Sequence, residues 1–173
     1  MNSLLSCALE LQHAAHTLMY FGMDGEPLYS DDFCRQNKEV LVKSDSLFST
    51  QSADIEEEAN LCLALLMGYN ATIYSHGDKN RKKQVVLERA CNVLEYLPAS
   101  LLKVRLLVYC YGEVYEESLL QEAHSIINSW DKEALTSEQT EIMEELKNIE
   151  ANPYPFEEVE ESVCSLPSSI YQN

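Results

Sequence analysis

The sequence is poor in the residues that β architectures use for turns. It has five glycines and five prolines in 173 residues, too few for a sandwich or barrel of many short strands. It lacks any uninterrupted apolar run of the roughly 18 residues that a membrane-spanning helix needs. No basic residue precedes the first apolar positions and no small-residue cleavage site follows closely, so no signal peptide is expected. Basic residues are scarce as well: 12 Lys and Arg stand against 29 Asp and Glu, a net charge of −17. Neutralising phosphates requires Lys and Arg, so direct binding to DNA, RNA or an anionic membrane is not expected. The six cysteines (Cys7, Cys34, Cys62, Cys91, Cys110, Cys164) are scattered, most of them within apolar helical patterns. In a chain long enough to bury a real core, they read as reduced, buried thiols of a cytoplasmic protein rather than a disulfide framework.

Catalytic signatures are missing too. There is no Cys-x-x-Cys, His-Glu-x-x-His, phosphate-cradling glycine loop or Gly-x-Ser-x-Gly. His13 and His16 sit three apart and could share a helix face, but only Glu10 and Cys7 lie at the adjacent turn, so they read as a rim pair rather than a metal site. The expectation is a protein that is not an enzyme, with no catalytic residues, cofactor or metal.

What is present is helical periodicity. Residues 3–21 place Leu4, Leu5, Ala8, Leu11, Ala15, Leu18, Met19 and Phe21 at spacings of three and four, with Ser3 as N-cap and Gly22 as stop. Ser30-Asp31-Asp32 opens a second helix, whose apolar face carries Phe33, Val40, Leu41, Leu47 and Phe48. Ser52 or Asp54 ahead of Glu56-Glu57-Glu58 starts a third. That helix is apolar nearly all round from Leu61 to Met67, the mark of a central helix packed on several sides. Gly68 within it fits close helix packing. His76-Gly77-Asp78 is the expected end of this helix, with Gly77 as a left-handed cap. Further helices are expected over 79–97, 100–114, 116–130 and, capped by Thr136-Ser137-Glu138-Gln139, to about Glu150. Short connections make antiparallel neighbours, so the fold expected is all-α: one domain of about seven helices packed as antiparallel helical hairpins. Residues 1–155 form this domain, and 156–173 an acidic, Pro-containing tail.

Charge is unevenly spread. Residues 79–105 hold seven basic side chains against two acidic ones, a local +5 that leaves −22 for the remainder of a chain at −17. Lys79, Arg81, Lys82 and Lys83 crowd a helix N-terminus, where positive charge opposes the dipole. Two readings follow: a surface for a partner, or a turn facing the acidic remainder of the same chain. With Lys103, Arg105 and the Tyr109/Tyr111 stripe, these residues make the candidate partner-binding surface, although aromatics at such spacing also serve as core.

Several blocks carry a family resemblance: Leu11-Gln12-His13-Ala14-Ala15-His16 leading to Gly22-x-Asp24-Gly25, Gly68-Tyr69-Asn70-Ala71-Thr72-Ile73-Tyr74, the Gly77-Asp78-Lys79 turn, and Leu97-Pro98-Ala99-Ser100-Leu101-Leu102 onward to Tyr109-Cys110-Tyr111-Gly112-Glu113-Val114. In these the chain resembles the UpxZ family over about residues 5–155. The resemblance implies a bacterial regulator of capsular polysaccharide operon transcription. Such a protein would inhibit antitermination by non-cognate NusG-like UpxY proteins through protein–protein binding, with the RNA polymerase elongation complex as a further partner and a homodimer left open. It supplies no catalytic or mapped binding residues. The rival reading is a non-catalytic helical-hairpin adaptor that assembles capsule or envelope machinery.

Overall fold

The computed structural model describes residues 3–23, 25, 30–73 and 77–152. They form seven α-helices: α1 (Leu4–Met19), α2 (Asp31–Phe48), α3 (Ile55–Ala71), α4 (Lys79–Leu94), α5 (Leu101–Val114), α6 (Glu117–Asn128) and α7 (Ser137–Ala151). Among the described residues there is no strand, and no helix is long and apolar enough to cross a membrane. The expected boundary at 155/156, the tail, Cys164, His76 and most of the Asp24-to-Tyr29 connection lie outside the described residues.

Local chemistry sets the helix starts. The side-chain oxygens of Ser3, Ser30, Asp54, Ser100 and Thr136 each accept from an N–H of the first turn they precede. Thr136 and Gln139 complete a reciprocal capping box, which satisfies two orphan amide groups at once. Gly22 has φ +86° just past α1, a conformation that suits glycine.

Helix α3 is the centre of the molecule. Every residue from Glu58 to Tyr69 is buried, and α3 touches α1, α2, α4 and α5. Gly68 lets α2 come close: a Cβ there would collide with Ser44 Oγ and lie 3.4 Å from Leu11 Cδ1. Consecutive helices from α1 to α6 pack on one another, consistent with helical hairpins. The last helix, α7, packs on α5 and buries only Ile142 and Leu146.

The end of α3 differs from expectation. The helix stops at Ala71, Ile73 is exposed, and Gly77 does not have a left-handed φ. Side chains do the stopping. Thr72 Oγ1 donates to the Gly68 carbonyl at 3.0 Å, and Asn37 of α2 brackets Ile73, accepting from its N–H at 2.7 Å and donating to its C=O at 3.1 Å. Those bonds replace the next helical turn, so no glycine cap is needed.

The cysteines also depart in part. Cys62 and Cys110 are buried, but Cys34 and Cys91 are exposed. Burial pushes the Cys62 thiol up to about 12, with the Glu58 carboxylate adding to it.

Candidate functional site

The eight candidate residues fall in three places. Three of the four cations at the start of α4 are engaged by their own chain. Lys82 Nζ lies 2.8 Å from Asp45 and 3.2 Å from Asp78, against the Phe48 and Tyr69 rings. Lys83 pairs with Glu113 of α5 at 2.6 Å, both side chains largely covered. Lys79 donates to the Thr72 carbonyl at 2.8 Å; burial, and next Lys83, lower its pKa. Arg81 is exposed and pairs with no described residue. The crowding of positive charge is therefore answered largely by carboxylates of α2, α5 and the turn before α4.

On α5 the remaining four diverge, because residues two apart on a helix point to opposite sides. Lys103 is buried and reaches Glu122 of α6 at 2.6 Å. Tyr109 and Tyr111 belong to the core, so the aromatic stripe is not a surface. The Tyr111 ring packs on Tyr115 with centroids 5.5 Å apart. Arg105 and Tyr109, one turn apart, line a cleft of about 330 Å³ between α1, α5 and α7.

That cleft brings charged groups of α1, α5 and α7 together. Its floor is a polar chain. Gln12, 5% exposed, donates to the Asn60 carbonyl and side chain at 3.0 and 3.1 Å and accepts from Arg105 Nη1 at 3.2 Å. Arg105 Nη2 meets the Met67 sulfur at 3.7 Å, and no described carboxylate lies within ion-pair distance of the guanidinium. One wall is α1, with Leu9, His13 and His16; the other is α7, with Glu138, Glu141, Ile142 and Glu145. The walls are tied by Glu141, which sits 2.6 Å from His16 Nε2 and accepts from the Tyr20 hydroxyl at 3.2 Å. Glu145 makes no hydrogen bond or ion pair with a described residue. Burial raises its pKa and Glu141 adds to this, while Arg105 and His16 oppose. Burial, then Glu145, push Tyr109 up as well. Among the described residues no group of three or more His, Cys, Asp and Glu is placed to hold a metal ion.

The carboxylates of α7 were missed in the sequence. Their signal was available: Glu138, Glu141 and Glu145 stand at i, i+3 and i+7, within one helix face.

Fold and surface together define a small all-helical protein with a charged cleft and several ion pairs that join one helix to another. The chain belongs to the UpxZ family of transcription anti-terminator antagonists, whose family model matches residues 8–112. A solved structure, that of a transcription anti-terminator antagonist UpxZ from Bacteroides uniformis, is 64% identical with a TM-score of 0.84, covering 92% of this chain and 100% of that one. No curated protein matches the chain. The family-model match ends within α5, so the cleft joins a matched part, α1 and α5, to α7 beyond it.

Proposed function

We propose that this chain inhibits antitermination by NusG-like UpxY proteins of other loci, and so restrains transcription of their capsular polysaccharide operons, by direct protein contact and without catalysis. The observation that carries this reading is the family membership, reinforced by a relative of 64% identity that bears the antagonist name over its whole length. The acidic balance is in keeping with it: an inhibitor that recognises a protein has no need to hold nucleic acid. A bacterial cytoplasm is the compartment this role requires, and the elongation complex and a second copy of the chain are the further partners to test. The adaptor alternative has no comparable support.

The α4 corner supports a contact surface less than its composition implied. Reversing Lys82 or Lys83 would break ion pairs that join α4 to α2 and α5, so loss of binding there would be confounded with loss of packing. Arg81→Glu is the clean test of that corner. The reading as a whole is tested by calorimetric titration against purified cognate and non-cognate UpxY-type proteins at two salt concentrations. Tighter binding to non-cognate partners is expected, weakening with salt if charge steers the encounter. An absence of binding to every one of them would remove direct contact as the mechanism.

A further inference from the structure

Two half-buried charges in the α1/α7 cleft, Arg105 and Glu145, form no ion pair with a described residue. Arg105 is turned toward Gln12 and Met67 rather than a carboxylate. On the facing wall, Glu138 is exposed and Glu145 is half-buried, and neither bonds to a described residue. Only Glu141 of the acidic wall is engaged. The α1 side opposite this wall carries His13 and His16 together with Leu9, and exposed apolar residues lie above and below them along the helix. Leu5 and Leu9 of α1 and Tyr20, which caps its C-terminus, are 38%, 47% and 47% exposed. From Leu5 to Tyr20 is 15 residue steps, about 22 Å at 1.5 Å per step, which is too long for a small cation and suits about four turns of a partner helix.

We infer that the α1/α7 cleft is the docking groove for the anti-terminator, and that its occupant is a helical segment carrying arginine or lysine along one face with apolar residues beside them. The argument is complementarity. The stems of long cationic side chains would lie on Leu9 and Ile142 while their heads meet Glu138 and Glu145. The apolar neighbours would cover Leu5, Leu9 and Tyr20, the arrangement by which an amphipathic helix fills a groove. Other occupants fit poorly. The chain's own tail brings Glu157, Glu158, Glu160 and Glu161 and no Lys or Arg, so it would be repelled. A nucleic acid would bring phosphates to a wall of carboxylates. A second copy would have to offer cations, and those at the start of α4 are largely taken.

This inference rests on the antagonist reading, and the test separates the two. Wild type, Leu9→Asp, Glu138→Lys/Glu145→Gln and Arg81→Glu are titrated against purified UpxY-type proteins, with helical content checked by circular dichroism. The groove predicts that both cleft variants stay folded and bind about tenfold or more weakly, while Arg81→Glu binds like wild type. Cleft variants that bind like wild type would overturn the groove and leave the antagonist reading standing, and a loss confined to Arg81→Glu would move the contact to α4. If wild type binds no anti-terminator, the antagonist reading fails, and a second measurement judges the groove. An amphipathic helical peptide with arginines on one face is added to isotope-labelled protein and followed by NMR. Shifts confined to α1 and α7, and lost in the double variant, support the groove; scattered or absent shifts overturn it.

Discussion

Arg89 Nη2 lies 2.7 Å from Glu58 Oε1, and each side chain is 10% exposed. The same guanidinium donates to the Phe48 and Thr50 carbonyls at 3.1 and 2.8 Å, so one α4 side chain closes the end of α2, the linker and the start of α3. Replacing Arg89 with alanine leaves a covered carboxylate and two carbonyls without their donor. The expected loss is about 3 kcal/mol of unfolding free energy, read from urea denaturation. A change below about 1 kcal/mol would mean that water satisfies these groups.

Gly68→Ala puts a methyl group into Ser44 Oγ, which is buried and donates to the Val40 carbonyl at 2.8 Å. Helix propensity alone would favour alanine by about 1 kcal/mol. The collision should reverse that sign and cost about 1–3 kcal/mol. Adding Ser44→Ala should recover much of the loss, because the obstacle is the hydroxyl. Independent, additive effects in the double-mutant cycle would contradict this contact.

Glu145 gives a pH dependence of defined sign. Its folded pKa is raised above the ordinary 4.5, chiefly by burial and next by Glu141, with Arg105 and His16 opposing. The folded state therefore holds this proton more tightly than the unfolded one. Its contribution is fully present below pH 4.5 and is lost as the pH rises through the folded value. Glu145→Gln should be more stable than wild type at pH 7, with the gap closing toward pH 4. Thermal midpoints of the two proteins at those pH values decide it, and a constant gap would show that ionisation is not the cause.

Thiol labelling should divide the cysteines by depth. Among the cysteines of the described residues, Cys34 should react first in the native protein. Cys91, exposed but with its thiol raised by burial, Glu116 and Glu95, should follow more slowly. Cys62 and Cys110 should react only on unfolding, as mass spectrometry of timed samples would show. Early modification of Cys110 would indicate that α5 opens locally.

Much of the fold was legible because it is local. Ser3, Ser30, Asp54 and Thr136 cap the helices they precede, and the all-round apolar character of Leu61–Met67 marked α3 as central. The end of α3 was not legible, because Asn37, 36 residues away in sequence, makes the stop. The candidate site suffered in the same way. For Lys82 and Lys83 the sequence left both a partner surface and a turn facing the chain's own acidic remainder, and it could not name Asp45 and Glu113 because they come from other helices. Arg105 and Tyr109 were singled out, yet the wall they face arrives 125 residues after its His16 counterpart. Composition reports how many charges a chain carries; only tertiary packing decides which of them cancel.

The shallow seating of α7 has a further consequence. Helix α3 buries every side chain from Glu58 to Tyr69, whereas α7 buries two. Substitutions at Glu138 or Glu145 therefore disturb little of what keeps the chain folded. Side chains along that wall can change while the interior stays the same, so this surface varies independently of foldability.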